Sequence, residues 1–266
     1  MASSVKNIVK VMNFHSLIRV DKAKRQAAKD RIVEKELRRT LASLINNTNL
    51  KMDDKMLKAN PNGSILNIYI GNDYGFCGNF NHQLQSSIMN DKESYKIVIG
   101  RKLAHLDDEK ILLKIAKDDF FKEYAKMSEI VSEYIREEKV KEINVLLNYY
   151  HSVSEITYET MRLFPLELTE EDKADIDTSI DYVIETDVNG LIASIIALGI
   201  CYQIKVLESN SYASENVMRE RITRESIKKI EELETEQIRI ARKEKNSKAF
   251  KKQISNYRII KGWSRC

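Results

Sequence analysis

The sequence predicts an α/β chain in which two long helices, one at each end, pair as an antiparallel coiled coil around a small central α/β domain. Three observations predict it. Apolar residues recur at helical spacing from Val5 to Leu44, and short β-branched runs alternate with helical stretches through the middle. Only two prolines occur, Pro61 and Pro165, so nothing interrupts a helix in the last hundred residues.

The first helix follows from Val5, Ile8, Met12, Val20, Ala23, Ala27, Val33, Leu37, Leu41 and Leu44, mostly three or four apart. At about 1.5 Å per residue it runs roughly 60 Å. Residues 46–64, rich in Asn with Pro61 and Gly63, read as a loop. Ile65 to Ile70 reads as a strand, Asn79 to Met89 as a helix and Tyr95 to Gly100 as a second strand. A helix over Phe120 to Glu138 and two β-rich runs, Ile143 to Tyr150 and Ile156 to Leu166, complete a Rossmann-like domain, a small parallel or mixed sheet covered by helices. Asp187 is a good N-cap for the last helix. That helix, continuous from Val188 to about Tyr257, would be roughly 100 Å long and needs a partner helix, which the N-terminal one supplies. The expected divisions are residues 1–50, 51–186 and 187–266.

Composition excludes several functions. No apolar run reaches the roughly 18 residues a membrane-spanning helix needs, and Leu191 to Ile200 is the nearest. Cys77, Cys201 and Cys266 lack metal-ligand spacing, so no metal site or disulfide framework is expected and a reducing cytosol is the natural compartment. Charge is uneven: residues 1–40 hold eleven Lys/Arg against four Asp/Glu, and residues 239–266 hold ten against one. The segment between is acidic. Two basic ends brought together point to an anionic partner.

The stretch Gly71-Asn-Asp-Tyr-Gly-Phe-Cys-Gly-Asn-Phe-Asn81 holds three of the eight glycines and follows the first strand, where phosphate loops occur. It has neither dinucleotide-binding spacing nor a Gly-Lys-Ser/Thr ending, and no Lys lies between Lys58 and Lys92. It therefore reads as a structural turn, with no cofactor expected. Cys77 reads as a small packed thiol, not a nucleophile, and the four histidines as surface or packing residues. The basic tail, including Arg239, Arg242, Lys243, Lys245 and Lys248, spreads over several helix faces and lacks a nucleic-acid module.

Taken in order, these segments resemble the gamma subunit of rotary F-type ATP synthases. Ser4-Val5-Lys6-Asn7-Ile8-Val9-Lys10-Val11-Met12 is similar to the family's opening S-I-K-N-I-x-K-I-T-x-A-M, and Asn72 to Asn81 to its S-D-R-G-L-C-G-x-x-N. Asp181 to Asp187 resembles the entry into its last helix. Leu207-Glu208-Ser209 through Ser214-Glu215-Asn216-Val217-Met218 resembles its L-x-E-x…S-E-x-x-A-R-M, and Ile240-Ala241-Arg242-Lys243 its N-x-A-R-Q.

The resemblance implies a central shaft with no active site of its own, turned inside a hexameric ring of alpha- and beta-type P-loop subunits. A head at the foot would meet an epsilon-type subunit and a membrane ring or another driven partner, placing the complex in the cytoplasm at the inner face of the cell membrane. The implied ring contacts are Lys6, Lys10, Arg19, Lys22, Tyr74, Phe76, Arg239, Arg242, Lys243 and Lys245. Weak exposed ion pairs, about 0–1 kcal/mol each, let such a shaft pass from one subunit to the next. A coiled-coil scaffold or nucleic-acid-binding protein remains the alternative.

The sequence departs from the family pattern in four places. Its first helix opens only a few residues before Ser4, Tyr74 replaces Arg, Lys243 replaces Gln, and Lys251 to Cys266 replaces an apolar tip. These departures suggest a divergent machine whose foot drives something other than a proton ring.

Overall fold

The computed structural model describes residues 2–45, 59–166 and 187–263. The Asn-rich loop at 46–58 and the entry segment 181–186 lie outside the described residues. The N-terminal helix α1 spans Ala2–Ile45 and the C-terminal helix α4 spans Val188–Trp263. Between them lie β1 (Ser64–Ile70), α2 (His82–Asn90), β2 (Tyr95–Ile99), β3 (Ile111–Ile115), α3 (Phe120–Arg136), β4 (Val140–Tyr150) and β5 (Ile156–Phe164).

The sheet runs in the order β3-β2-β1-β4-β5. The first four strands are parallel and β5 is antiparallel to β4. Residues alternate across it, as the two-residue period of a strand requires. Leu66, Ile68 and Ile70 enter one core layer with Phe120, Met127 and Val131 of α3 and Ile192, Ile196 and Ile200 of α4. Tyr69 and Val98 enter the other with Leu84 and Ile88 of α2. The apolar stretch Leu191 to Ile200 is therefore the part of α4 that packs on the sheet.

One strand is new and one expectation needs correction. Ile111–Ile115, to which the sequence reading assigned no element, is an edge strand. The helix expected from Asn79 begins at His82, because the three preceding residues complete the turn that closes the glycine loop.

Helices α1 and α4 run antiparallel. Lys6 meets Glu231 and Glu234, Asn13 donates to Thr223, and Gln203 donates to Glu34. Partner numbers fall as α1 numbers rise. The α1 seam steps alternately three and four residues, from Lys6, Val9, Asn13, Ser16, Val20 and Ala23 to Leu41 and Leu44, the heptad spacing of coiled coils. Val5 and Ile8, expected on the packed stripe, are instead exposed. The seam there is occupied by polar residues, so following apolar residues alone drifts onto the outer face.

One glycine is required by both conformation and space. Gly100 has φ +122°, and a Cβ there would lie 2.9 Å from the Gly71 carbonyl carbon and 3.0 Å from the Asn72 nitrogen. Gly100→Ala should destabilise the chain by about 2 kcal/mol or more, read from a denaturant midpoint, with the 71–81 loop displaced.

Candidate partner-contact surface

The loop from Gly71 to Asn81 fastens the head to the shaft helix. Asn81 Nδ2 donates to Asn72 Oδ1 at 2.7 Å, tying the loop's ends together. The Asp73 carboxylate, buried at its tip, accepts the backbone N–H groups of Arg101, Lys117 and Asp118. Arg219 of α4 donates to the Gly75 carbonyl at 3.3 Å, and the Cys77 thiol to the Glu215 carbonyl at 3.7 Å. Gly78, at φ +57°, lets the chain pass against Ile222. The glycines serve a collar around α4. Burial pushes the Cys77 thiol up, which suits a packed and unreactive side chain.

Beneath the collar lies a charged network inside the protein. Glu215 accepts from Arg219 and from Lys117, the latter at 3.4 Å, and all three side chains are almost fully enclosed. Glu208, two turns before Glu215 on the same helix, is 7 % exposed and accepts no hydrogen bond from a described residue. Burial pushes it up to about 7; Lys117 opposes that rise, while Glu215, Asp73 and Asp30 add to it. Sequence reasoning missed this network. Its signal was present: Glu208, Ser211, Glu215 and Arg219 recur at three and four along the helix.

The sequence-predicted contact residues separate into three groups. Lys6 is engaged within the coiled coil, 2.8 Å from Glu234 and 3.3 Å from Glu231, and its ammonium is shifted up chiefly by the Glu234 hydrogen bond. Lys10, Arg19 and Lys22 are exposed along α1 and form no ion pair with a described residue. Arg239 touches Glu236 at 3.5 Å, whereas Arg242, Lys243 and Lys245 are exposed on α4 and form no ion pair with a described residue.

Tyr74 and Phe76 form the outer tip of the collar. The Tyr74 hydroxyl donates to Asp118, and Arg219 lies 5.8 Å from the ring centroid. That hydrogen bond is the chief cause of the phenol's upward shift. Arg101, from the β2–β3 connection, sits 3.7 Å from both Asp73 and Asp118. A cation therefore accompanies the loop even though position 74 is a phenol. Phe76 is 54 % exposed and has φ 62°. A bulky residue in that backbone region is strained, and such strain gathers where a side chain is presented to a ligand or partner. Arg101, Lys102 and His105 border an open cleft of about 670 Å³ beside the loop. Asp73, Asp118 and Asp119 already surround its Arg101.

Two further surfaces lie on the rod. Val5, Ile8, Val11, Phe14, Leu17 and Ile18 form an exposed apolar stripe on α1, turned away from the seam. Beyond Glu234, α4 has no companion among the described residues, and every residue from Thr235 to Asn256 is exposed, including Ile238, Ile240, Phe250 and Ile254. That bare portion is about 33 Å long. Contiguous exposed apolar surface on such a rod marks it as a contact element.

The architecture is that of a stalk, an antiparallel helical rod collared by an α/β head. The family model described as ATP synthase matches residues 1–247, and the chain belongs to the ATP synthase gamma-subunit family. The match ends before the lysine-rich extremity.

Solved structures share the fold at 14% identity. A chain of the Euglena gracilis mitochondrial ATP synthase OSCP/F1/c-ring, in rotational state 3, covers 100% of this chain and 94% of its own, with a TM-score of 0.59. A chain of the Tetrahymena thermophila mitochondrial ATP synthase central stalk and c-ring covers 82% and 99%, with a TM-score of 0.53. A chain of the Euglena gracilis rotor in rotational state 1 covers 87% and 90%, with a TM-score of 0.52. No curated protein matches the sequence.

Proposed function

We propose that this chain is the central rotary shaft of an F-type or F-like ATPase, turning as alpha- and beta-type subunits cycle through ATP. One observation carries the reading. A helical rod presents an apolar stripe and free cations outward on α1, then continues as a bare helix that needs enclosure by another protein. In this reading Lys10, Arg19, Lys22, Arg239, Arg242, Lys243 and Lys245 meet acidic groups of the ring, and Lys6 stiffens the rod from within. Tyr74 and Phe76 present the collar to a ring subunit. The head faces an epsilon-type subunit and the driven partner, a proton-carrying ring or another load, at the inner face of the cell membrane.

Tagged chain isolated from its cell should bring down alpha- and beta-type P-loop subunits in a large particle with ATPase activity. A single monodisperse chain that binds DNA with steep salt dependence would overturn the reading in favour of a nucleic-acid scaffold. Within the particle, charge reversal at Arg242 and Lys243 should alter ATPase rate or torque while the free chain keeps its stability within about 0.5 kcal/mol.

Phe76→Gly separates stability from contact. It relieves the positive φ, so the free chain should gain about 0.5–1 kcal/mol, while the particle turns over more slowly. Unchanged turnover would show that Phe76 is not a contact.

A further inference from the structure

The unpartnered carboxyl of Glu208 opens into a cavity of about 410 Å³ between α1, α4 and the start of α3. The charged and titratable groups around it are Arg19, Lys22 and Asp30 from α1, Asp73 from the collar, Lys117 and Asp118 before α3, and Glu215 and Tyr212 from α4. Lys117 is taken by Glu215, and the Asp30 carboxylate accepts from Gln26. Arg19 and Lys22 line the same cavity, are exposed, and form no ion pair with a described residue. A buried acid without a donor and two long cations without an acceptor therefore share one space. A buried ionised carboxylate is costly unless paired and hydrogen-bonded, and these two side chains are flexible enough to supply the pairing.

We propose that Glu208, Arg19 and Lys22 form a proton-controlled latch. With Glu208 neutral, both cations stay at the rim, available to acidic groups of a partner. With Glu208 ionised, its proton passes to solvent through the open cavity and one cation is drawn in to pair with it. Affinity for an acidic partner at this shoulder of the rod is thereby tied to a proton on the opposite side of the same cavity. Burial places the switching range near neutral pH. The latch belongs to the free chain and does not depend on the shaft reading.

Two measurements on the full chain test it. The first is binding of a fluorescent hexaglutamate peptide, ionised throughout, from pH 6 to 8.5. Wild-type affinity should fall about two- to fivefold across that range, the worth of one exposed ion pair. Glu208→Gln should hold the tight value at every pH, and Arg19→Ala with Lys22→Ala the weak one. Equal pH slopes in wild type and Glu208→Gln overturn the latch. The second measurement leaves Glu208 in place and follows its carboxyl carbon by NMR in chain labelled at glutamate. The Arg19→Ala, Lys22→Ala variant should titrate at a higher pH than wild type. An unchanged midpoint also overturns the proposal.

Discussion

Glu208→Gln is expected to stabilise the chain by up to about 3 kcal/mol above pH 7. The acid is held near 7 in the fold against 4.5 as its ordinary value, and each unit is worth about 1.4 kcal/mol. Because the folded value is the raised one, the stabilisation that the neutral acid provides is fully present below pH 4.5. It is lost as pH rises through 7. Glutamine is neutral throughout, so the two proteins should have matching denaturant midpoints near pH 4 and diverge between pH 4.5 and 7. Parallel curves across that range would mean that folding leaves the titration of Glu208 unchanged.

Glu215→Gln should have the opposite sign and the larger size. Among the described residues Glu215 is the only carboxylate paired with either Lys117 or Arg219, and all three are buried. Removing its charge leaves two enclosed cations without a counter-charge, a loss of about 3–5 kcal/mol for a broken buried pair. For a chain of this size that corresponds to a fall in Tm of about 10 °C. Glu236→Gln serves as the control. Its contact with Arg239 is exposed at 3.5 Å, and losing it should change stability by less than about 0.5 kcal/mol. A small effect at Glu215 would show that water reaches the network.

Both predictions concern residues that sequence periodicity does not single out as a core. The long helices, most strands and the parallel-to-mixed sheet were legible because proline scarcity, heptad spacing and β-branched runs report backbone regularity directly. Ile111–Ile115 was not legible, because five residues after a polar loop give too short a pattern to separate strand from connection. The inner face of α1 was misplaced near its start. There Lys6, Asn13 and Ser16 hold seam positions through charge and hydrogen bonds, leaving Val5 and Ile8 outside. Hydrophobicity marks what avoids water, and on this rod apolar residues also lie on the exposed outer face.

The collar shows the same limit from another side. The wrong spacing and the missing lysine removed the phosphate-loop reading of residues 71–81. What replaced it, a hold on Arg219, Glu215 and Ile222, involves residues about 140 positions away in the chain. Tyr74 stood out in the sequence as a phenol in place of a cation. Its partner Asp118 and the neighbouring Arg101 emerge only from the fold, which brings three separate loops to one end of the sheet.

The change from paired to single helix near Glu234 also has a mechanical meaning. Resistance to bending and twisting rises steeply with the width of a rod. The doubled portion and its head therefore behave as a nearly rigid body, and the lone end of α4 as the compliant element in series with it. Under load, elastic deflection concentrates in that lone segment. A load applied at the head would be smoothed there before it reached whatever grips the tip.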